Sequence, residues 1–74
     1  MAYVYQHVRL DNNEIFYVGI SRGKKYNRAY LKVKRNSYWV NIINNTQYKV
    51  EIINDNISWQ EAFVIEKELI AKYD

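Results

Sequence analysis

The feature that most constrains the fold is a pair of strand-forming segments held apart by turn chemistry. Residues 3–10 (YVYQHVRL) and 15–20 (IFYVGI) are rich in β-branched and aromatic side chains, which suit a pleated, half-buried surface. Asp11-Asn12-Asn13 stands between them. Asp and Asn bond their own backbone and tolerate left-handed geometry, so the chain is expected to reverse in a loop of about three or four residues. Gly19, inside the second strand pattern, marks close approach by another backbone or a ligand.

The rest of the chain supplies cover for that hairpin. Ser21 to Gly23 breaks the strand pattern, and a short basic helix is expected from about Lys25 to Lys34. Asn36-Ser37 can cap a second short helix whose apolar stripe is Tyr38, Trp39, Ile42 and Ile43, with Asn44-Asn45-Thr46 ending it. Residues 48–53 (YKVEII) read as a third strand. Ser58 and Glu61 form a capping box, each side chain satisfying a backbone donor at the start of a final helix from about Trp59 to Lys72. The order β-β-α-α-β-α predicts an α/β (α+β) domain, a small three-stranded antiparallel sheet flanked by helices on both faces. At 74 residues, with no proline, repeat or linker, one domain is expected over 1–74. Such a chain buries only about 60% of its unfolded surface, so its stability margin is thin.

Composition excludes several chemistries. There is no cysteine, hence no disulfide and no thiolate zinc site. His7 is the single histidine, so any metal must rest on oxygen ligands, which selects magnesium or manganese over zinc or copper. The sequence has no signal-peptide core and no apolar run long enough to cross a bilayer. The expectation is an intracellular, cytoplasmic protein without membrane contact. The net charge is only +3, but Arg22, Lys24, Lys25, Arg28, Lys32, Lys34 and Arg35 are seven of the eleven basic residues and have no acid among them. A segment of that kind attracts polyanions through phosphate neutralisation and counterion release. The bland alternative is a solvated helix face, since basic faces are common on ordinary proteins.

One acid is out of place. At about 100° per residue, Trp59, Ala62, Phe63, Leu69, Ile70 and Tyr73 share a face of the last helix, and Glu66 projects into the middle of it. Glu68 points away. An unpaired buried carboxylate costs several kcal/mol unless it is neutralised, hydrogen-bonded or bound to a cation. Glu66 is therefore either a metal ligand, a partner for an arginine such as Arg28, or a group that reaches water at the sheet edge.

Strand alternation sets Tyr3, Tyr5, His7 and Arg9 on one face of the first strand, and Tyr17 and Gly19 opposite Phe16, Val18 and Ile20 in the second. Tyr5 and Tyr17 can thus lie close together. Buried tyrosines are most often amphipathic core residues, and spacing is what lifts these two above that reading.

Tyr3-Val4-Tyr5, followed after the hairpin by Tyr17-Val18-Gly19, resembles the paired motifs that name the GIY-YIG nucleases. Arg28 stands nine residues after Gly19, close to the family's arginine position, and Glu66-Lys67-Glu68-Leu69-Ile70 resembles its glutamate motif, aligning Glu66 and not Glu68. Phe16 to Ser21, Arg28-Ala29-Tyr30 and Arg35-Asn36 before Trp39 resemble a branch found in phages and mobile elements. The resemblance runs from Tyr3 to Tyr73. Tyr3 stands where the first motif opens with glycine. The family's domains continue past the glutamate helix to an active-site asparagine, whereas this sequence ends at Asp74; a trimmed or minimal domain, or part of a larger protein, is expected.

The resemblance implies a metal-dependent endonuclease that hydrolyses DNA phosphodiesters with one magnesium or manganese ion. Glu66 would hold the metal and Arg28 would stabilise charge on the phosphoryl oxygens. Tyr5 or Tyr17 would position and help deprotonate the attacking water, with His7 as the alternative base. A tyrosine ordinarily titrates near 10, so that role needs a nearby cation to lower it. Arg22, Lys24, Lys25, Lys32, Lys34 and Arg35 would grip the DNA backbone, which positions without reading sequence. Specificity would come from a targeting domain or a dimer partner. The other class that fits is a nucleic-acid-binding module that keeps the fold and does not cut.

Overall fold

A computed structural model describes residues 1–23, 26–32 and 35–73, the last for its backbone only. Lys24, Lys25 and Lys34 of the basic segment lie outside the described residues. Strands β1 (Ala2–Arg9), β2 (Ile15–Arg22) and β3 (Tyr48–Ile57) form one antiparallel sheet in the order β2-β1-β3, with helices α1 (Ser37–Asn45) and α2 (Trp59–Tyr73) beside it. The hairpin turn uses the expected chemistry. The Asn12 side chain accepts from the Glu14 amide at 2.9 Å, Asn13 takes a left-handed φ of 60°, and the Glu14 carbonyl accepts from the Arg9 amide at 2.8 Å.

As the central strand, β1 is buried along nearly its whole length, which requires cover on both faces. Ala2 and Val4 point to one face and pack with Val18, Ile20, Ile57 and the α2 residues Ala62, Ile65 and Leu69. Tyr3, Tyr5 and His7 point to the other and meet Tyr17, Tyr26, Ala29, Val50, Ile52 and Trp39. One face of the sheet is aliphatic and the other aromatic.

Four expectations change. Phe16 does not share a face with Val18 and Ile20. His7 pairs with Tyr17 and Val8 with Ile15, so Phe16 is the extra residue of a β-bulge. A bulge re-aims its side chains, and the Phe16 ring joins His7, Trp39 and Tyr48 at centroid distances of 5.9, 6.5 and 5.9 Å. The third strand runs on to Ile57 because two irregularities, between Ala2 and Val4 and between Val4 and Tyr5, keep it paired to β1. Bulges also twist an outer strand away from further pairing.

The basic helix expected between Lys25 and Lys34 is absent from the described residues, where Asn27–Tyr30 form a turn. Tyr26 has φ 53°, a left-handed conformation that starts no helix. The segment's carbonyls are also taken by side chains: Ala29 accepts from His7 at 2.7 Å, and Arg28 and Leu31 accept from Arg35 at 2.8 and 3.0 Å. The Tyr26 hydroxyl donates to Asp55, tying the segment to β3. Tertiary hydrogen bonds outcompete local helix propensity here.

Both described helices start as expected. Asn36 caps α1 by accepting from the Trp39 amide at 2.8 Å, and α1 buries Trp39 and Ile42 while Tyr38 stays exposed. In α2 the Glu61 amide donates to Ser58 Oγ at 3.1 Å and the Ser58 amide to Glu61 Oε1 at 3.4 Å. The α2 face is rotated from expectation. Ala62, Ile65 and Leu69 meet the sheet, whereas Trp59, Phe63 and Ile70 are exposed. Ala62 sits in the same cluster as Ala2, and small residues on both sides decide where a helix comes closest. Among the described residues, no helix is long and apolar enough to cross a membrane.

Candidate active site

The aromatic face gathers both candidate tyrosines. Their ring centroids are 6.0 Å apart, and His7 lies 5.4 Å from Tyr5 and 5.3 Å from Tyr17. Gly19, the cross-strand partner of Tyr5, permits this. A Cβ there would stand 2.5 Å from the Tyr5 hydroxyl oxygen and 2.6 Å from its Cζ. The close neighbour that Gly19 admits is the Tyr5 ring, lying across a residue without a side chain. Gly19→Ala is expected to cost about 1–3 kcal/mol through overpacking and to displace Tyr5. Urea denaturation measures the cost, and the tyrosine near-UV dichroism reports the displacement.

The arginine at the tyrosines is Arg35, which the resemblance places among the backbone grips. Its Nη1 stands 3.5 Å from the Tyr5 hydroxyl, and its guanidinium lies 4.8 Å from the Tyr17 ring centroid and 5.5 Å from that of Trp39. Nε and Nη2 donate to the Leu31 and Arg28 carbonyls at 3.0 and 2.8 Å. Arg35 thus spreads its fork between the turn and the tyrosines. Lysine, a point charge on a flexible stem, cannot reproduce that. Arg35→Lys is expected to cost about 2 kcal/mol and to shift the urea midpoint nearly as far as Arg35→Ala. A lysine variant as stable as wild type would refute the fork. In the sequence Arg35 is marked by its place in the basic segment and by the Arg35-Asn36 motif ahead of Trp39, and neither says that it reaches the tyrosines.

His7 has no free lone pair. Trp39 Nε1 donates to His7 Nδ1 at 2.9 Å, which places the proton on Nε2 and makes that nitrogen the donor to the Ala29 carbonyl. The side chain is fully buried and burial lowers its pKa. A neutral imidazole with both nitrogens engaged is a structural cross-link, not a base for water. Burial likewise raises the Tyr5 pKa against the opposing pull of Arg35, so Tyr5 is a phenol near neutral pH and donates hydrogen bonds. The adjacent cation does not bring the Tyr5 pKa down as a base would need. Tyr3 packs edge-on against Tyr26 at 5.1 Å, and its buried hydroxyl has no partner among the described residues.

Arg28 and Glu66 lie elsewhere. Arg28 lines an open groove of about 500 Å³ with Ile20, Ser21, Arg22 and Trp59. This groove follows the outer edge of β2, where the aromatic and aliphatic faces meet. Arg22 lies over the Trp59 ring at 4.5 Å. Lys32 lines a separate depression of about 340 Å³ with Leu10, Ile43 and Tyr48. Glu66 belongs to α2, on the aliphatic side of the sheet, about 10 Å along the helix from Trp59. It is half-buried, burial raises its pKa, and no described hydrogen bond or ion pair engages its carboxylate. No described contact joins it to Tyr5, Tyr17, Arg28 or Arg35.

The donor set can be tested against a divalent ion. Among the described residues no group of three or more His, Asp or Glu converges, so an all-protein cage does not fit. A single free carboxylate does fit magnesium, which keeps several waters and takes one or two carboxylates plus substrate phosphates.

Comparison with known proteins found no matching family model, no matching curated protein and no matching solved structure.

Proposed function

We propose that this chain is a GIY-YIG-like domain that binds phosphodiester backbones and hydrolyses them in DNA with one magnesium or manganese ion. The observation that carries this reading is the Tyr5–Tyr17 pair with the Arg35 guanidinium against both and no acid among their described contacts. Two phenols and an unneutralised cation suit a phosphoryl group with its attacking water. The free Glu66 carboxylate and the arginine-lined β2 groove support the same chemistry.

In this reading Arg22 and Arg28 hold phosphates in the groove, and Arg35 positions Tyr5 and the turn that carries Arg28. Tyr5 donates a hydrogen bond to a phosphoryl oxygen or to the attacking water. With His7 engaged and Tyr5 protonated, Tyr17 is the half-buried hydroxyl left to accept from that water. Glu66 would hold the metal, which when bound supplies Lewis-acid stabilisation of the phosphate. DNA would lie along the β2 edge, where the groove lined by Arg22 and Arg28 lets one ligand meet side chains from both faces of the sheet. A cytoplasmic site of action belongs to the same proposal.

A non-cleaving nucleic-acid-binding module is the second reading, and it is favoured by the separation of Glu66 from the tyrosines. The test is nicking of supercoiled DNA with magnesium or manganese, wild type against Glu66→Ala, with DNA binding measured in parallel. Metal-dependent cleavage that survives Glu66→Ala refutes the assignment of Glu66. Salt-sensitive binding without cleavage at any metal concentration establishes the module.

A further inference from the structure

The stack of Arg22 on Trp59 has a place in neither reading so far. Trp59 is 40% exposed, a large apolar surface to leave in water at the mouth of a groove. Its ring and Arg22 are shared by two depressions. One is the groove of about 500 Å³ that also contains Ser21 and Arg28, and the other is a smaller hollow of about 210 Å³ that also contains Ile57 and Ser58. The Arg22–Trp59 stack is therefore the wall between a cationic compartment and a more apolar one. Neither Arg22 nor Arg28 has an acidic partner among the described residues, although the chain has eight Asp and Glu residues.

We infer that this wall is a subsite for one unpaired nucleotide, its base stacked on Trp59 and its phosphates held by Arg22 and Arg28. The inference rests on the phosphodiester-binding reading above and narrows its substrate class. A cationic compartment alone would accept any polyanion. An exposed indole at its edge adds something a paired duplex cannot use, because duplex bases present their π-faces to each other. Stacking on an aromatic side chain needs a base that is splayed or single-stranded. Arg22 already lies against the indole, which leaves the smaller hollow for the base and the arginine side for the phosphates. A protein partner would have to offer acids to both guanidiniums and an apolar group to Trp59. A nucleotide carries phosphate and a flat apolar ring in one unit. The ligand is thus an unpaired nucleotide within a strand, as at a flap, a gap or a single-stranded end.

The indoles make the test specific. Trp39 is 1% exposed, so quenching by an added oligonucleotide reports Trp59 against a constant background. The probes are a short oligothymidylate, the matching oligouridylate and a blunt duplex of the same strand length, all in chelator. Both single strands should quench, and the duplex should not. Equal affinity for the two places recognition in features that they share, and a preference assigns the sugar or the thymine methyl; both support the subsite. With a labelled oligothymidylate, Trp59→Ala should weaken binding roughly tenfold and Trp59→Phe should restore most of it. Arg22→Gln and Arg28→Gln should each flatten the dependence of log Kd on log salt by about 0.7.

Equal quenching by the duplex, or wild-type affinity in Trp59→Ala, overturns the subsite. So does self-association lost in Trp59→Ala with no oligonucleotide bound, which would make this face a protein contact. Because the assay reads binding in chelator, it is separable from cleavage. Wild-type affinity in Trp59→Ala removes the subsite and leaves the nuclease proposal standing. Cleavage that survives Glu66→Ala removes the assigned role of Glu66 and leaves the subsite standing.

Discussion

Trp39→Ala is expected to lose roughly 4–8 kcal/mol of stability, most of what a domain of this size has. Truncating a fully buried Trp costs about 3–5 kcal/mol in transfer and cavity energy. A further ~1–3 kcal/mol follows from leaving a buried acceptor without its donor, here His7 Nδ1, which takes the indole proton at 2.9 Å. A chain of 74 residues has about 4–11 kcal/mol in total. Far-UV circular dichroism should find the variant largely unfolded in buffer. Trp39→Phe, which keeps a ring and loses the hydrogen bond, should stay folded with a lower urea midpoint. The same link predicts acid sensitivity. The His7 pKa is lowered in the fold, so the unfolded chain takes up the proton more readily. The stability from a neutral His7 is full above its ordinary value of 6.5 and is lost as pH falls toward its folded value. The wild-type melting temperature should drop across that window, and a His7→Gln variant that remains folded should show a flatter profile. A Trp39→Ala protein with the wild-type urea midpoint would show that the indole cross-link is not what holds α1 to the sheet.

What the sequence made legible was local. The hairpin turn, the Asn36 cap and the Ser58–Glu61 box each depend on residues within a few positions of one another, and each formed as read. The errors came from tertiary competition. Nothing within residues 26–32 says that the Arg28, Ala29 and Leu31 carbonyls will be claimed by Arg35 and His7, so the segment read as a helix. The same competition exchanged two arginines. Arg28 gives its carbonyl to the tyrosine side and its side chain to the β2 groove, while Arg35 reaches the tyrosines themselves. Phe16 changed faces because a bulge alters strand parity without altering composition. In α2 the apolar arc from Ile65 through Ala62 and Trp59 to Phe63 is wider than the sheet can cover. Periodicity gives the arc, but not which part of it is buried. Glu66 stands between the covered and uncovered parts, half-buried, which is how its anomaly in the sequence was resolved.

That position sets two opposite consequences for Glu66→Gln. On the proposed nuclease reading, the substitution is expected to reduce metal-dependent cleavage roughly a thousandfold or more, since a neutral amide is a poor ligand for a hard cation and Lewis-acid stabilisation is worth several kcal/mol. It is also expected to raise the melting temperature at pH 7. Burial raises the Glu66 pKa above the ordinary 4.5, so the folded chain prefers the protonated acid. The group's favourable contribution is present below its ordinary pKa and is lost as pH rises through the raised value. At neutral pH the ionised, unpartnered carboxylate therefore burdens the fold, and a neutral isostere removes that burden. The difference between Glu66→Gln and wild type should close as the pH is taken well below 4.5. Added magnesium should raise the melting temperature of the wild type alone, because only an intact carboxylate links metal binding to folding. A structural ion pair would give the reverse order, with Glu66→Gln melting below wild type at pH 7 and no separate response to magnesium. The two orders cannot coexist. A thermal melt at neutral pH, with and without magnesium, thus distinguishes a carboxylate kept for a ligand from one kept for the fold, whether or not a DNA target has been found.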